Sequence, residues 1–210
     1  MLVQQSVYDG NLIHKRFAYE FFRKEVSSYG NIVAFRAPMY VKEGLIDLED
    51  TLSNDYIHSQ DAINFCWEIP GLCPFGAVSF QRLFNTSVAN IVSSVIKKSI
   101  MVDGDDLMVQ DEFVGTDEKI RKSGKVSVSI TYSKDNVALG HTGINIVAGN
   151  KAPPFAYSLN IDNNSVDYIV NSVIDYFNTE VKDQFIATTK IIVLKKYLQM
   201  AVLMFFTAAI

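Results

Sequence analysis

Apolar positions along this chain repeat with two different periods, and the change from one to the other marks out its elements. In NLIHKRFAYEFFRKEVSSYG, Ile13, Phe17 and Phe21 fall one helical turn apart, and Phe22 and Val26 continue the stripe. That spacing predicts a helix which Gly30 ends. Residues 2–8 read as a short strand, and NIVAFRAPMYV (31–41) as a strand interrupted at Pro38, hence an edge or a bulge. KEGLIDLEDTLSNDYIH is acidic and turn-rich. SQDAINFCWEI (59–69) reads as a short helix that PGLCPFG breaks. In AVSFQRLFNTSVANIVSSVIKK, Phe80, Phe84, Val88, Ile91, Val92 and Val95 form one face of a strong amphipathic helix, and Lys97 and Lys98 suit the negative end of its dipole.

SIMVDGDDLMV reads as two short strands about Asp103-Gly104, and QDEFVGTDEKIRKS (110–123) as a polar loop. Beyond the hairpin of residues 124–146, AGNKAPPFAYSLNIDNN is irregular with a strand at Tyr157 to Ile161. A long helix follows over SVDYIVNSVIDYFNTEVKDQFIATTK, where Val166, Ile169, Val170, Val173, Ile174, Phe177, Val181 and Phe185 keep helical spacing. Strands and helices are mixed and hairpins replace strict β-α-β alternation. The class this predicts is α+β with a largely antiparallel sheet.

The hairpin GKVSVSITYSKDNVALGHTGINI holds the candidate chemistry. In its first strand Val126, Val128, Ile130 and Tyr132 face one way, and Lys125, Ser127, Ser129 and Thr131 the other. In its second, Ala138, Ile144, Ile146 and Ala148 share a face opposite Leu139, His141, Gly143, Asn145 and Val147. A two-residue loop at Lys134-Asp135 would mix core and polar groups on both faces. A three-residue loop, Lys134-Asp135-Asn136, places Lys125 opposite Asn145, Ser127 opposite Gly143 and Ser129 opposite His141, and brings the apolar sets together. This second register is the expected one. It gives a polar face bearing an ammonium, hydroxyls, an imidazole, an amide and a glycine gap. That face reads either as a binding site or as the wet side of a half-exposed sheet.

Composition narrows the function classes. The net charge of −4 argues against a phosphate-backbone binder, so no nucleic-acid partner is expected. Cys66 and Cys73 match no zinc spacing and the three histidines lie far apart, so no metal site is expected. Two thiols in a chain of this length, with an N-terminus unlike a signal peptide, lead to the expectation of a reduced, cytoplasmic protein. The apolar run from Leu198 to Ile210 is shorter than the roughly 20 residues a bilayer needs. It reads as a terminal helix docked on the protein or on a partner, with a membrane-surface anchor as the lesser reading, and it would suit a homo-oligomer.

GDDLMV, GKVSVSI and GHTGINI, along residues 104–146, resemble the core of the biotin and lipoate protein ligases, and sixteen positions separate Lys125 from His141, about as in lipoate ligases. A closer resemblance is to an uncharacterised prokaryotic family, largely archaeal, a domain of unknown function with the same ligase-like fold. It rests on Tyr8-Asp9-Gly10, Val33-Ala34-Phe35-Arg36, Asp47-Leu48-Glu49-Asp50, Lys125 with Ser127-Val128-Ser129-Ile130, and Gly143-Ile144-Asn145-Ile146. The resemblance implies a biotin/lipoate protein ligase-like fold with a class II aminoacyl-tRNA synthetase-like core. A mostly antiparallel mixed sheet would be flanked by helices, in one domain over residues 1–190 followed by an apolar C-terminal extension over 191–210.

The resemblance also implies roles. Lys125 would sit between a substrate carboxylate and the α-phosphate of ATP, neutralising charge as an acyl-adenylate forms. Ser127, Ser129, His141, Gly143 and Asn145 would line the substrate. ATP and Mg²⁺ would be the cofactors, with Asp105 and Asp106 as neighbours unless these only cap the turn after Gly104. Independently of the resemblance, Arg36 at the end of a strand before a break reads as a clamp for a carboxylate or phosphate, or else as a partner of Asp47, Glu49 and Asp50. Cys73 is the loop candidate for an acyl-carrying thiol. The ligases' Arg-Arg-x-Ser-Gly-Gly-Gly loop is absent, and Val128-Ser129-Ile130 replaces their Gly-Ser-Ala. Two functions follow: an ATP-dependent ligase or acyltransferase acting on a small carboxylic acid, or a non-catalytic module that keeps the fold and binds a small molecule or protein.

Overall fold

The computed structural model describes residues 7–14, 16–42, 48–53 and 55–190, without the side chains of Lys24, Glu49 and Asp50. Most of the strand expected over 2–8, the residue Asp47 and the apolar tail beyond Lys190 therefore lie outside the described residues.

The first helix, α1 (Phe17–Phe22), is shorter than the apolar stripe predicts, with a single 3₁₀ turn at Arg23–Glu25. Tertiary contacts set its ends. Glu68 accepts the N–H groups of Arg16 (3.0 Å) and Ala18 (3.3 Å), a carboxylate at the positive end of the helix. Arg23, at φ 50°, stops it.

Strand β1 (Asn31–Val41) carries the expected break, since its register shifts between Ala37 and Met39 around Pro38, and it is a sheet edge. Tyr8 fills the gap: its N–H donates to Pro38 O (2.8 Å), and Tyr40 N–H donates to Tyr8 O (2.9 Å). After a short helix α2 (Leu48–Ser53) comes the largest departure from the sequence reading. Residues expected as a helix over 59–69 belong to strand β2 (Ile57–Pro70). Every residue from Ala62 to Ile69 is buried, so the strand shows no polar alternation to separate it from a short helix.

Helix α3 (Pro74–Ile96) is as expected, and starts where Cys73 Sγ accepts the N–H of Gly76 at 3.5 Å. Strands β3 (Ile100–Asp103) and β4 (Asp106–Val109) form the expected short hairpin. The segment expected as a polar loop contains a small hairpin of β5 (Phe113–Val114) and β6 (Ile120–Arg121). Strand β7 (Gly124–Lys125) pairs with β4, and β8 (Ser127–Lys134) with β9 (Val137–Val147). Tyr157 to Ile161 is not a strand, although Leu159 and Asn160 donate to the carbonyls of Asn145 and Ile146. Helix α4 (Asn163–Thr189) closes the described chain.

The fold is α+β. The main sheet, β1-β2-β9-β8, is antiparallel throughout, beside a three-stranded sheet β3-β4-β7 and the β5-β6 ribbon. Both of its faces are buried. One packs on α3 and α4 through Trp67, Phe80, Phe84 and Phe177. The other is covered by Tyr8, Ile13 and Phe17.

Asp162 caps α4, its Oδ1 accepting Ser165 N–H at 2.7 Å, and that bond holds its carboxyl below the usual range. Asp162→Ala should lower the urea midpoint with an unchanged slope, since the first turn of α4 loses its cap.

Candidate functional site

The hairpin register decides which side chains can meet, and it differs by one residue from the expected one. Lys134 pairs with Val137, leaving Asp135 and Asn136 as a two-residue loop, both at positive φ (52° and 63°). Positive φ at both central residues is the pattern of the type I′ turn, whose twist suits a hairpin. Ser127 therefore lies opposite Ile144, Ser129 opposite Thr142, and Ile130 opposite His141. The expected register assumed one wet face. Both faces are covered here, so burial does not select the register and the turn does.

The slip sends Ser129 toward α3. Gln81 donates to Ser129 Oγ (2.9 Å), Ser129 Oγ and Thr142 Oγ1 are 3.1 Å apart, Thr142 donates to Asn85 Oδ1 (2.9 Å), and Asn85 donates to Asp105 O (2.8 Å). This is a satisfied polar network between sheet and helix. Ser129, expected at a substrate, is engaged within it.

His141 goes to the opposite face and is also sealed. Its ring stacks on Tyr8 (centroids 3.8 Å apart) and its Nε2 lies 3.0 Å from Asn64 Oδ1. The Asn64 amide donates to Ala37 O, so its oxygen is the acceptor and the imidazole carries its proton on Nε2. Burial drives the His141 pKa down to about 3. It is a neutral core histidine, correcting the expectation that it faces a substrate beside Lys125.

Lys125 does reach a recess. Strand β7 is fixed on both sides: it pairs with Met108 of β4, Lys125 N–H donates to Phe155 O and Tyr157 N–H to Lys125 O, each at 2.8 Å. The strap at 155–157 is anchored by Tyr157, whose hydroxyl donates to Asp111 Oδ2 (2.5 Å) and accepts from Lys98 (3.1 Å). The recess measures about 210 Å³. Lys125, Asn145, Ser127, His58, Tyr56 and Asp55 are its polar walls, with Met39, Val128 and Phe155 among the apolar ones. Lys125 Nζ is 2.7 Å from Asp106 Oδ1, with side chains 25% and 32% exposed. Burial raises the pKa of Asp106, and the hydrogen bond and charge of Lys125 oppose that rise.

The remaining expected residues are distributed as follows. Ser127 lines the recess, while its Oγ accepts Leu107 N–H at 2.9 Å. Asn145 lines it and donates to Lys125 O at 3.4 Å. Gly143 lies under Met39: a Cβ there would come within 2.4 Å of Met39 Sδ. Arg36 is away from the recess, its guanidinium bidentate on Asp61 (2.9 and 2.6 Å) and bonded to Asn163 (2.8 Å). Among the described residues its acidic partner thus comes from β2; Asp47 and the side chains of Glu49 and Asp50 lie outside them. Asp105 and Asp106 do not converge on one ion position, because Asp105 lies 4.0 Å from Arg82 and Asp106 holds Lys125. No cluster of three His, Cys, Asp or Glu suited to a metal exists among the described residues. Cys73 is at the α3 N-cap.

His58 is the wall residue that sequence reasoning passed over. It sits near the start of β2, paired with Tyr40, and its Nδ1 is buried with no hydrogen-bond partner among the described residues. Only recognition of 57–70 as a strand brings it beside Lys125.

The fold these elements build is that of the biotin protein ligases. Biotin protein ligase from Aquifex aeolicus, solved in complex with biotin and ATP, superposes with a TM-score of 0.51 at 15% identity, covering 86% of this chain and 70% of that one. A protein of unknown function from Pyrococcus horikoshi superposes with a TM-score of 0.72 at 21% identity, covering 91% and 96%. Residues 1–192 match the family model described as Domain of unknown function (DUF366), and the chain belongs to that family. No curated protein matches it. No helix among the described residues is long and apolar enough to cross a membrane.

Proposed function

We propose that this protein binds a small carboxylic acid in the recess beside Lys125 and acts on it as an ATP-dependent ligase or acyltransferase. The observation that carries this reading is an ammonium, held by Asp106, at the wall of a cavity that also offers the apolar surfaces of Met39, Val128 and Phe155. A carboxylate there gains a charge-assisted hydrogen bond, while its hydrocarbon body is taken out of water against Met39, Val128 and Phe155. His58, whose buried Nδ1 has no hydrogen-bond partner among the described residues, lines the same recess and offers a second polar group. The likeness of fold to a ligase solved with biotin and ATP supports activation as the subsequent step.

One observation favours the non-catalytic reading. Ser127, Ser129, Thr142 and His141, the polar groups of the hairpin, all bond to the protein itself. A binding module that keeps the fold needs only Lys125 and the apolar walls.

Thermal denaturation with biotin, lipoate and octanoate, each with and without ATP and Mg²⁺, tests both readings. An acid that raises the melting temperature in wild type should lose about ten- to a hundredfold in affinity in Lys125→Ala. Lys125→Ala with Asp106→Asn guards against a bare carboxylate unfolding the variant. Pyrophosphate release that needs both acid and ATP supports the ligase reading. Binding without release across the acids leaves the module reading, and an undiminished response in both variants removes Lys125 from either.

A further inference from the structure

Building on the carboxylate reading above, we infer that Met39 sets the length of apolar tail the recess accepts. Met39 is buried, 1% exposed, and forms part of the recess wall together with Lys125. Its backbone is clamped, since it follows the Pro38 irregularity and Tyr8 bonds to the residues on either side of it. Its side chain, by contrast, lies across strand β9 at Gly143, one of the two positions there with no side chain. A Cβ at Gly143 would stand 2.4 Å from Met39 Sδ, 3.1 Å from its Cε and 3.1 Å from His141 Cε1. The thioether therefore occupies room that nearly any other residue at position 143 would claim.

Methionine is unbranched, with three rotatable bonds, and changes rotamer at little cost. Turning Met39 away from Gly143 lengthens the recess along the sheet, over the Gly143 backbone and toward the His141 ring, without moving a strand. The ligand class this fits is a carboxylic acid with an unbranched or flat apolar tail. Its head group would lie at Lys125 and its far end would abut the thioether. Length, more than polarity, would be read at the Met39 end, because Met39 and Val128 offer no hydrogen bond there.

The test uses the full chain with butanoate, hexanoate, octanoate and decanoate, measured by calorimetry and thermal shift. In wild type, affinity should rise about fourfold per added methylene up to a limiting length and then fall. Met39→Ala should move that limit upward by about two or three methylenes, the size of the thioether removed. Gly143→Ala puts a methyl group in the space over residue 143 along which the recess would lengthen, and should move the limit downward. Both variants disturb the same contact, so loss of stability alone would not displace the optimum in opposite directions. Met39→Val carries the same prediction as Met39→Ala if the alanine variant does not fold. An unchanged length optimum in proteins that still bind acids overturns the role of Met39 and leaves the carboxylate reading intact. Failure of every acid to bind wild type overturns both.

Discussion

Gly140→Ala should be the most damaging single-methyl change in this protein, at about 3 kcal/mol or more. The added Cβ would stand 2.1 Å from Cζ2 and 2.2 Å from Cε2 of Trp67. The indole has nowhere to go: it is fully buried, with Phe80 edge-on at 5.1 Å and Phe84 at 6.4 Å. Gly143→Ala makes a comparably close approach, but to the flexible end of a methionine, so it should cost far less. Urea unfolding of the two variants side by side checks the contrast. Trp67→Leu in the background should relieve most of the Gly140→Ala penalty, a coupling that independent sites would not show. If Gly140→Ala is as stable as Gly143→Ala, the packing of β9 against the indole is wrong.

Acid should destabilise the protein through His141. Its native pKa is depressed to about 3 by burial, whereas the unfolded value is near 6.5. Below about pH 6.5 the unfolded chain takes up a proton that the native state refuses, so stability falls as pH falls. The loss approaches about 1.4 kcal/mol per pH unit and is on the order of 4 kcal/mol by pH 3. Among the described residues, the titratable groups on the ring do not offset this: Tyr8 stacks on it and Cys66 pairs opposite it, and burial raises the pKa of both so that they stay neutral. In His141→Gln the urea midpoint should be lower at neutral pH but nearly free of this slope. Parallel pH profiles in wild type and variant would show that the imidazole titrates normally in the native state.

The candidate site was half legible. Lys125 stands out as the residue opening the hairpin, and it does line a recess. Its expected companion His141 does not line the recess, being covered by Tyr8 and bonded to Asn64, and His58 stands there instead. No local feature of IHSQ signals that role. It depends on β2 being a strand and on His58 pairing across to Tyr40 of β1. Arg36 likewise looked available as an anion clamp until the fold brought Asp61 and Asn163 to it.

Local sequence determined the elements whose signals are local. These are the one-sided stripes of α3 and α4, the Pro38 break in β1, the hairpin about Gly104, and the motifs that resemble a ligase-like family. Tertiary structure decided everything that depends on what covers a face. With β2 buried on both sides its strand character left no alternation, and with β9 buried on both faces and β8 half-buried the turn dihedrals chose the register in place of hydrophobic matching. Periodicity reports a boundary between core and water, and where a strand meets core on either side there is no boundary to report.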